Sequence, residues 1–176
     1  MHDNFRIWTV GILTAVLTSG CSDDNNSPTQ PYPAAIGPVV TQMTDTAAFE
    51  ANPTFSPDGL WIYYESDASG NMDIYRMSAV GGASEQLTTD PALARYPHLS
   101  PTGTSMVFES ERSGTKSIWI LDVDQPGAQP IQLTGDDGDD GSPNWSPDGS
   151  LISFESSRSK EAGSDLYLIP AGGGEL

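Results

Sequence analysis

The chain has 176 residues, with 24 acidic and 7 basic side chains and a formal net charge of −17. So acidic a surface repels phosphate backbones and anionic headgroups, which argues against nucleic-acid binding. Disorder is excluded for most of the chain because Trp, Tyr, Phe, Ile and Leu recur at regular spacing, and 18 Gly with 14 Pro and no long helical pattern point to short strands joined by turns.

The first element is a leader. A short polar start (Met1 to Arg6) precedes an apolar run from Ile7 to Leu17, then the small residues Thr18-Ser19-Gly20 and the chain's one cysteine, Cys21. This is the layout of a secretory signal, and the apolar run is shorter than the roughly 20 residues that span a bilayer. A lone exported cysteine is ordinarily a free thiol or an intermolecular bridge. Small residues directly before it resemble the lipobox of bacterial lipoproteins, in which the cysteine is S-acylated and becomes the new N-terminus. Thr18 stands where that box prefers Leu, and Arg6 is offset by Asp3. Lipidation at Cys21 is the favoured reading over ordinary cleavage or an uncleaved anchor. Residues 21–37 are polar and Pro-rich, a composition that reads as a flexible tether. Ser22, rather than a retaining Asp, leans towards the outer membrane, at its periplasmic face or at the cell surface.

Three repeats fill residues 38–176. Asn52-Pro53-Thr54-Phe55-Ser56-Pro57-Asp58-Gly59 aligns with Tyr96-Pro97-His98-Leu99-Ser100-Pro101-Thr102-Gly103 and with Ser142-Pro143-Asn144-Trp145-Ser146-Pro147-Asp148-Gly149. Gly59 and Gly103 are 44 residues apart, Gly103 and Gly149 46, close to the roughly 40–45 residues of a propeller blade. Each turn leads into an apolar strand ending in Glu-Ser (Glu65-Ser66, Glu109-Ser110, Glu155-Ser156). A second apolar strand follows (Asp73–Met77, Ser117–Leu121, Asp165–Ile169), then Gln86-Leu87-Thr88 or Gln132-Leu133-Thr134. A further copy, Gln42-Met43-Thr44, precedes the first repeat. Pro fixes φ and Gly accepts positive φ, so Ser-Pro-Asp-Gly predicts a tight turn, with Thr102 a tolerated departure. The aromatics Phe55, Tyr75, Trp119, Trp145 and Tyr167 are expected to pack between adjacent blades.

This pattern is similar to the TolB-type, WD40-like β-propeller repeat, related forms of which occur in the propellers of prolyl-oligopeptidase-type peptidases. The resemblance implies an all-β fold of four-stranded antiparallel blades. Three repeats make only a partial propeller, because closure takes about 4–8 blades, and the third runs out at Gly172-Gly173-Gly174-Glu175-Leu176 where its last strand should begin. In the resembled family an N-terminal strand such as Gln42-Met43-Thr44 completes the last blade. Either the chain is a piece of a longer protein, the favoured reading, or two copies assemble into one six-bladed ring.

Catalytic chemistry is not expected. Beyond the leader there is one histidine, His98, in a repeat strand, and there is no Gly-x-Ser-x-Gly elbow, phosphate-binding loop or His/Cys metal cluster. The run Asp136-Asp137-Gly138-Asp139-Asp140-Gly141 invites calcium, and Asp136, Asp140 and Gly141 fit EF-hand positions 1, 5 and 6. Gly138 fails position 3, and Pro147 stands where the bidentate Glu belongs. A solvated loop is the preferred reading, with no metal and no cofactor expected. The resemblance implies a non-enzymatic scaffold that binds another protein of the cell envelope. The alternative is the N-terminal propeller of a larger envelope enzyme, a peptidase or carbohydrate-active protein.

Overall fold

Alternating apolar residues put a buried face on each strand, and each repeat pairs its strands into a sheet of its own. In the computed structural model, β1 (Glu50–Phe55), β2 (Trp61–Ser66), β3 (Asp73–Ser78) and β4 (Glu85–Gln86) form the first antiparallel blade in chain order. The second comprises β5 (Ala94–Leu99), β6 (Ser105–Ser110), β7 (Ser117–Asp122) and β8 (Ile131–Gln132), and the third β9 (Asp140–Trp145), β10 (Leu151–Ser156) and β11 (Asp165–Pro170). The structure describes residues 40–135, 137–159 and 163–174, and among these there is no helix. Thr41–Leu176 form a unit of their own. The leader, Cys21, the tether and Asp136 lie outside the described residues.

The turns between the first two strands of each blade follow from their sequence. The N–H groups of Gly59, Gly103 and Gly149 donate to the carbonyls of Ser56, Ser100 and Ser146 at 2.8–2.9 Å, with φ of 71°, 78° and 74° at the three glycines. In blades 1 and 3 the aspartate ties the turn together. Asp58 Oδ1 accepts from Ser56 Oγ at 2.6 Å and Leu60 N at 2.9 Å, while Asp148 Oδ1 accepts from Ser146 Oγ and from both N and Oγ of Ser150. Those donors lower the Asp148 carboxyl to about 2. In blade 2 a chain of hydroxyls, Ser100 to Thr102 to Thr104, takes the aspartate's place. The Pro57 ring lies against Gly103, and Pro101 against Gly149, so each turn packs on the next.

The cores lie between blades. Tyr63 and Ile74 of blade 1 pack on Leu99, Met106 and Phe108 of blade 2. Val107 and Ile118, on the other face of blade 2, pack on Ile152 and Phe154 of blade 3. Trp119, Trp145 and Tyr167 sit against these cores as expected. Phe55 does not. It is 62% exposed, whereas its counterpart Leu99 is 5% exposed, because no described blade covers that face of blade 1. Tyr75 is buried on that same open side, with Tyr64, Met77 and Met43.

Gln42-Met43-Thr44 forms no strand. It nevertheless carries the local bond of its repeat copies, Gln42 Nε2 to Thr44 O at 2.8 Å against Gln86 Nε2 to Thr88 O at 2.9 Å. The Thr44 hydroxyl donates to Glu50.

Candidate functional site

Each inner strand carries one irregularity at the same place. The pairing of β1, β5 and β9 with the next strand slips at Ala51/Thr54, Arg95/His98 and across from Ser153/Glu155. At each slip the residue before a proline adopts left-handed backbone: Asn52 at φ 48°, Tyr96 at 51° and Ser142 at 54°. For residues with a Cβ this conformation costs about 1–2 kcal/mol, and it turns the N–H out of the ladder.

At the second and third slips a carboxylate of the preceding blade receives that N–H. Tyr96 N donates to Glu65 Oε1 at 2.9 Å, and Ser142 N donates to Glu109 Oε2 at 3.2 Å. Glu65 also accepts from the Asn52 side chain, and Lys116 Nζ lies 3.9 Å from Glu109. Both carboxylates are buried. Burial pushes the Glu109 carboxyl up, against the opposing pull of Lys116 and the Ser142 N–H. A hydrogen bond to a charged acceptor contributes about 1.5–3 kcal/mol, enough to offset the local strain. A Cβ at Gly141 would meet the Glu109 carboxylate, so a side chain there would displace that carboxylate from its place in the joint.

A third buried carboxylate holds the outer strand of blade 1. Asp73 accepts from Thr88 Oγ1 (2.8 Å), Ser69 Oγ (2.9 Å) and Gln86 Nε2 (3.0 Å), and Ile74 N donates to Thr88 Oγ1 at 2.9 Å. Blade 2 repeats the arrangement with Ser117 and Thr134.

Two arginines complete the joints. Arg112 lies over Phe108 and Trp119 at 5.2 and 5.0 Å, and Arg158 over Phe154 and Tyr167 at 5.1 and 5.0 Å. Sequence reasoning stopped at Glu-Ser and missed them. The signal was there as Glu-Ser-x-Arg at 109–112 and 155–158, with Ala68 at the blade 1 position. Arg158 also pairs with Asp140 at 2.7 Å. This corrects the reading of the acidic run as wholly solvated: Asp137 and Asp139 are exposed, but Asp140 is fully buried at the start of β9. Among the described residues no three His, Cys, Asp or Glu side chains converge as a metal ion requires.

The joints open into clefts on the two rims of the blades. At the Ser-Pro-Asp-Gly end, a cleft of about 200 Å³ brings Ser56, Pro57 and Asp58 of one turn to Thr102 and Gly103 of the next, with Arg76 and Asp124 beside them. Arg76 rests over Trp61 at 4.8 Å. At the other end, Arg95, Tyr96, Lys116, Asp139, Ser142 and Glu155 border about 340 Å³. The open side of blade 1 holds an apolar hollow of about 420 Å³, lined by Met43, Pro53, Phe55, Ile62, Tyr64 and Met77. The first two clefts are charged; the third suits a sheet or an apolar side chain.

His98 belongs to the blade 2–blade 3 joint. Its Nδ1 accepts from Trp145 N at 3.1 Å, which fixes the neutral form with the proton on Nε2, and burial holds its pKa below the usual 6.5. The unfolded chain therefore takes up the proton first, and folded-state stability falls as pH drops from about 6.5 towards the depressed value. The raised Glu109 carboxyl acts in the opposite direction, since its penalty appears as pH rises from its unfolded value. A comparison with His98→Gln isolates the histidine. Wild type is expected to lose more of its unfolding midpoint than His98→Gln between about pH 7 and about pH 5. Equal losses would show that His98 is not held neutral.

No family model matches the sequence. Among solved structures, TolB from Agrobacterium tumefaciens superposes with a TM-score of 0.63 at 26% identity, over 70% of this chain and 43% of that one. TolB from Acinetobacter baumannii gives 0.60 at 25%, over 70% of this chain and 30% of that one. The β-propeller domain of the Trilobed protease from Pyrococcus furiosus gives 0.52 at 16%, over 71% and 40%, a likeness of fold alone. The described sheets are blades of a β-propeller of TolB type. The chain spans less than half the length of each of these structures.

Proposed function

We propose that this chain is a cell-envelope lipoprotein whose TolB-type propeller blades serve as a non-enzymatic scaffold for another envelope protein. In this reading residues 1–20 are the leader, Cys21 carries the lipid, residues 21–37 are the tether and residues 38–176 are the repeats. The observation that carries it is the likeness to TolB, held jointly by the repeat motif and by blade geometry. Acyl chains on Cys21 would hold an otherwise lipid-repelling acidic surface at a membrane, since anchoring grows with each buried methylene. Wild type expressed with radiolabelled palmitate is expected to take up label and to sediment with membranes. Cys21→Ser should lose both, and its persistence in the membrane fraction would refute the anchor. Cross-linking in envelope extracts tests the scaffold, and recovery of no specific partner counts against it.

In a second reading these blades belong to a larger envelope peptidase or carbohydrate-active enzyme; the Pyrococcus protease carries a propeller of the same fold. Reading the gene past codon 176 separates the two. Further repeats support the scaffold, and a Gly-x-Ser-x-Gly domain supports the enzyme.

A further inference from the structure

The sequence contains four Asp-Gly pairs, at 58–59, 137–138, 140–141 and 148–149. Glycine lacks a Cβ, so its N–H can reach the side-chain carboxyl carbon of an aspartate just before it and close a five-membered succinimide. Closure needs a carboxyl free to turn and a glycine N–H that is not engaged. Three of the pairs do not meet these conditions. The carboxylates of Asp58 and Asp148 are held by the hydroxyl and N–H donors of their turns, and Gly59 N and Gly149 N donate to the Ser56 and Ser146 carbonyls at 2.9 Å. Asp140 is fully buried, with its Oδ2 2.7 Å from Arg158 Nη2. Asp137 differs. It is exposed, and among the described residues neither its carboxylate nor the Gly138 N–H has a hydrogen-bond partner. The equivalent position in blade 2 is exposed even with a neighbouring blade in place. Ala94 and Asp140 open β5 and β9 opposite Ser110 and Ser156, so Pro91 stands in blade 2 where Asp137 stands in blade 3, and Pro91 is exposed although blade 3 packs on blade 2.

We propose that Asp137-Gly138 is a site of spontaneous isoaspartate formation, and that it is the one Asp-Gly pair of the four to react in the folded protein. Gly138 N attacks Asp137 Cγ, and the N–H proton leaves with the carboxyl OH as water. Solvent water then opens the ring. Attack at the Cγ carbonyl restores aspartate, and attack at the α-carbonyl leaves the main chain routed through Cβ and Cγ. One water is lost and one regained, so mass and oxidation state are unchanged. The product lengthens the main chain by a methylene at a place with little room beyond it. Gly138 packs on the 157–158 backbone, where a Cβ would lie 2.6 Å from Arg158 N. Asp139 N donates to Ser157 Oγ at 3.0 Å, and Ser157 N donates to Asp139 O at 3.1 Å. A longer chain just before these contacts displaces Gly138, so the modification loosens the start of β9 beside the Asp140–Arg158 pair.

The test stores the purified protein at neutral pH, digests it and measures isoaspartate at each pair by peptide mapping. Asp137 is expected to convert at least about tenfold faster than Asp58, Asp140 or Asp148. In denaturing urea the four pairs should convert at similar rates, which ties the difference to the fold rather than to the local sequence. Asp137→Glu keeps the charge but would have to close a six-membered ring. This variant should form no isoaspartate at 137 and hold its urea midpoint on storage, whereas stored wild type acquires a fraction that unfolds at lower urea. No rise at Asp137 above freshly purified protein, an equal rise at any of the other three in the folded protein, or a lead at Asp137 that persists in urea would each overturn the assignment.

Discussion

Phe108→Ala is expected to destabilise the protein by about 3–5 kcal/mol. Phe108 is fully buried, in the core where blade 1 meets blade 2, with the Arg112 guanidinium 5.2 Å from its ring. Truncation removes the transfer free energy of the ring, leaves a cavity between two sheets that are each internally hydrogen-bonded, and takes away one of the two aromatic surfaces beneath the arginine. Domains of this size are stable by about 5–15 kcal/mol, so the loss is a large share of the total. Urea denaturation measures it directly. Val80→Ala, at a position 95% exposed, is the control and should stay within about 0.5 kcal/mol of wild type. Equal midpoints for the two variants would mean that the blades are not held together by this core.

A comparable effect is expected at Asp73. Asp73→Ala leaves the Thr88 hydroxyl, the Ser69 hydroxyl and the Gln86 amide without the acceptor they share. Leaving a buried neutral donor without its acceptor costs about 1–3 kcal/mol, so losing an acceptor shared by three donors amounts to a few kcal/mol. The loss should be local as well as global, because this network ties β4 and the following Thr88 to β3. Hydrogen exchange at Leu87 N, which donates to Ile74 O at 2.8 Å, is expected to accelerate more than exchange in the β2–β3 ladder. The protein contains its own milder variant. Blade 2 has Ser117 at this position, fully buried and accepting from Gln132 Nε2 at 3.2 Å. Asp73→Ser is therefore expected to recover a substantial part of the loss, whereas equal damage from Ala and Ser would show that the carboxylate acts as a charge rather than as an acceptor.

The parts of the fold legible in the sequence are those set by residues near one another in the chain. Ser-Pro-Asp-Gly is complete within four residues, and its hydrogen bonds close inside the turn. Strand alternation is read directly from neighbours, and the repeat spacing fixes the blades. The joints were not legible in the same way. Glu65 meets Tyr96 31 residues away, Glu109 meets Ser142 33 residues away, and His98 meets Trp145 47 residues away. A periodic pattern says that a residue faces inward and does not say which blade it faces. That is why Phe55 was expected in a core and lies on an open side, and why Glu-Ser read only as a strand ending. Asp140 misled for a related reason: its run is polar, but Arg158, 18 residues on, draws this one carboxylate inside.

The left-handed position before each repeat proline has a consequence for how such a protein can diversify. At Tyr96 and Ser142 the freed N–H is taken by an acceptor on the preceding blade, so conformation there does not depend on the identity of the side chain that adopts it. Asn, Tyr and Ser fill the three positions at nearly one φ, and the Tyr96 side chain is 39% exposed. Mutation at these places can change the character of what is displayed while the framework beneath keeps its shape. A repeat protein organised this way carries different residues at regular intervals along one rim, held by main-chain rather than side-chain bonds at Tyr96 and Ser142.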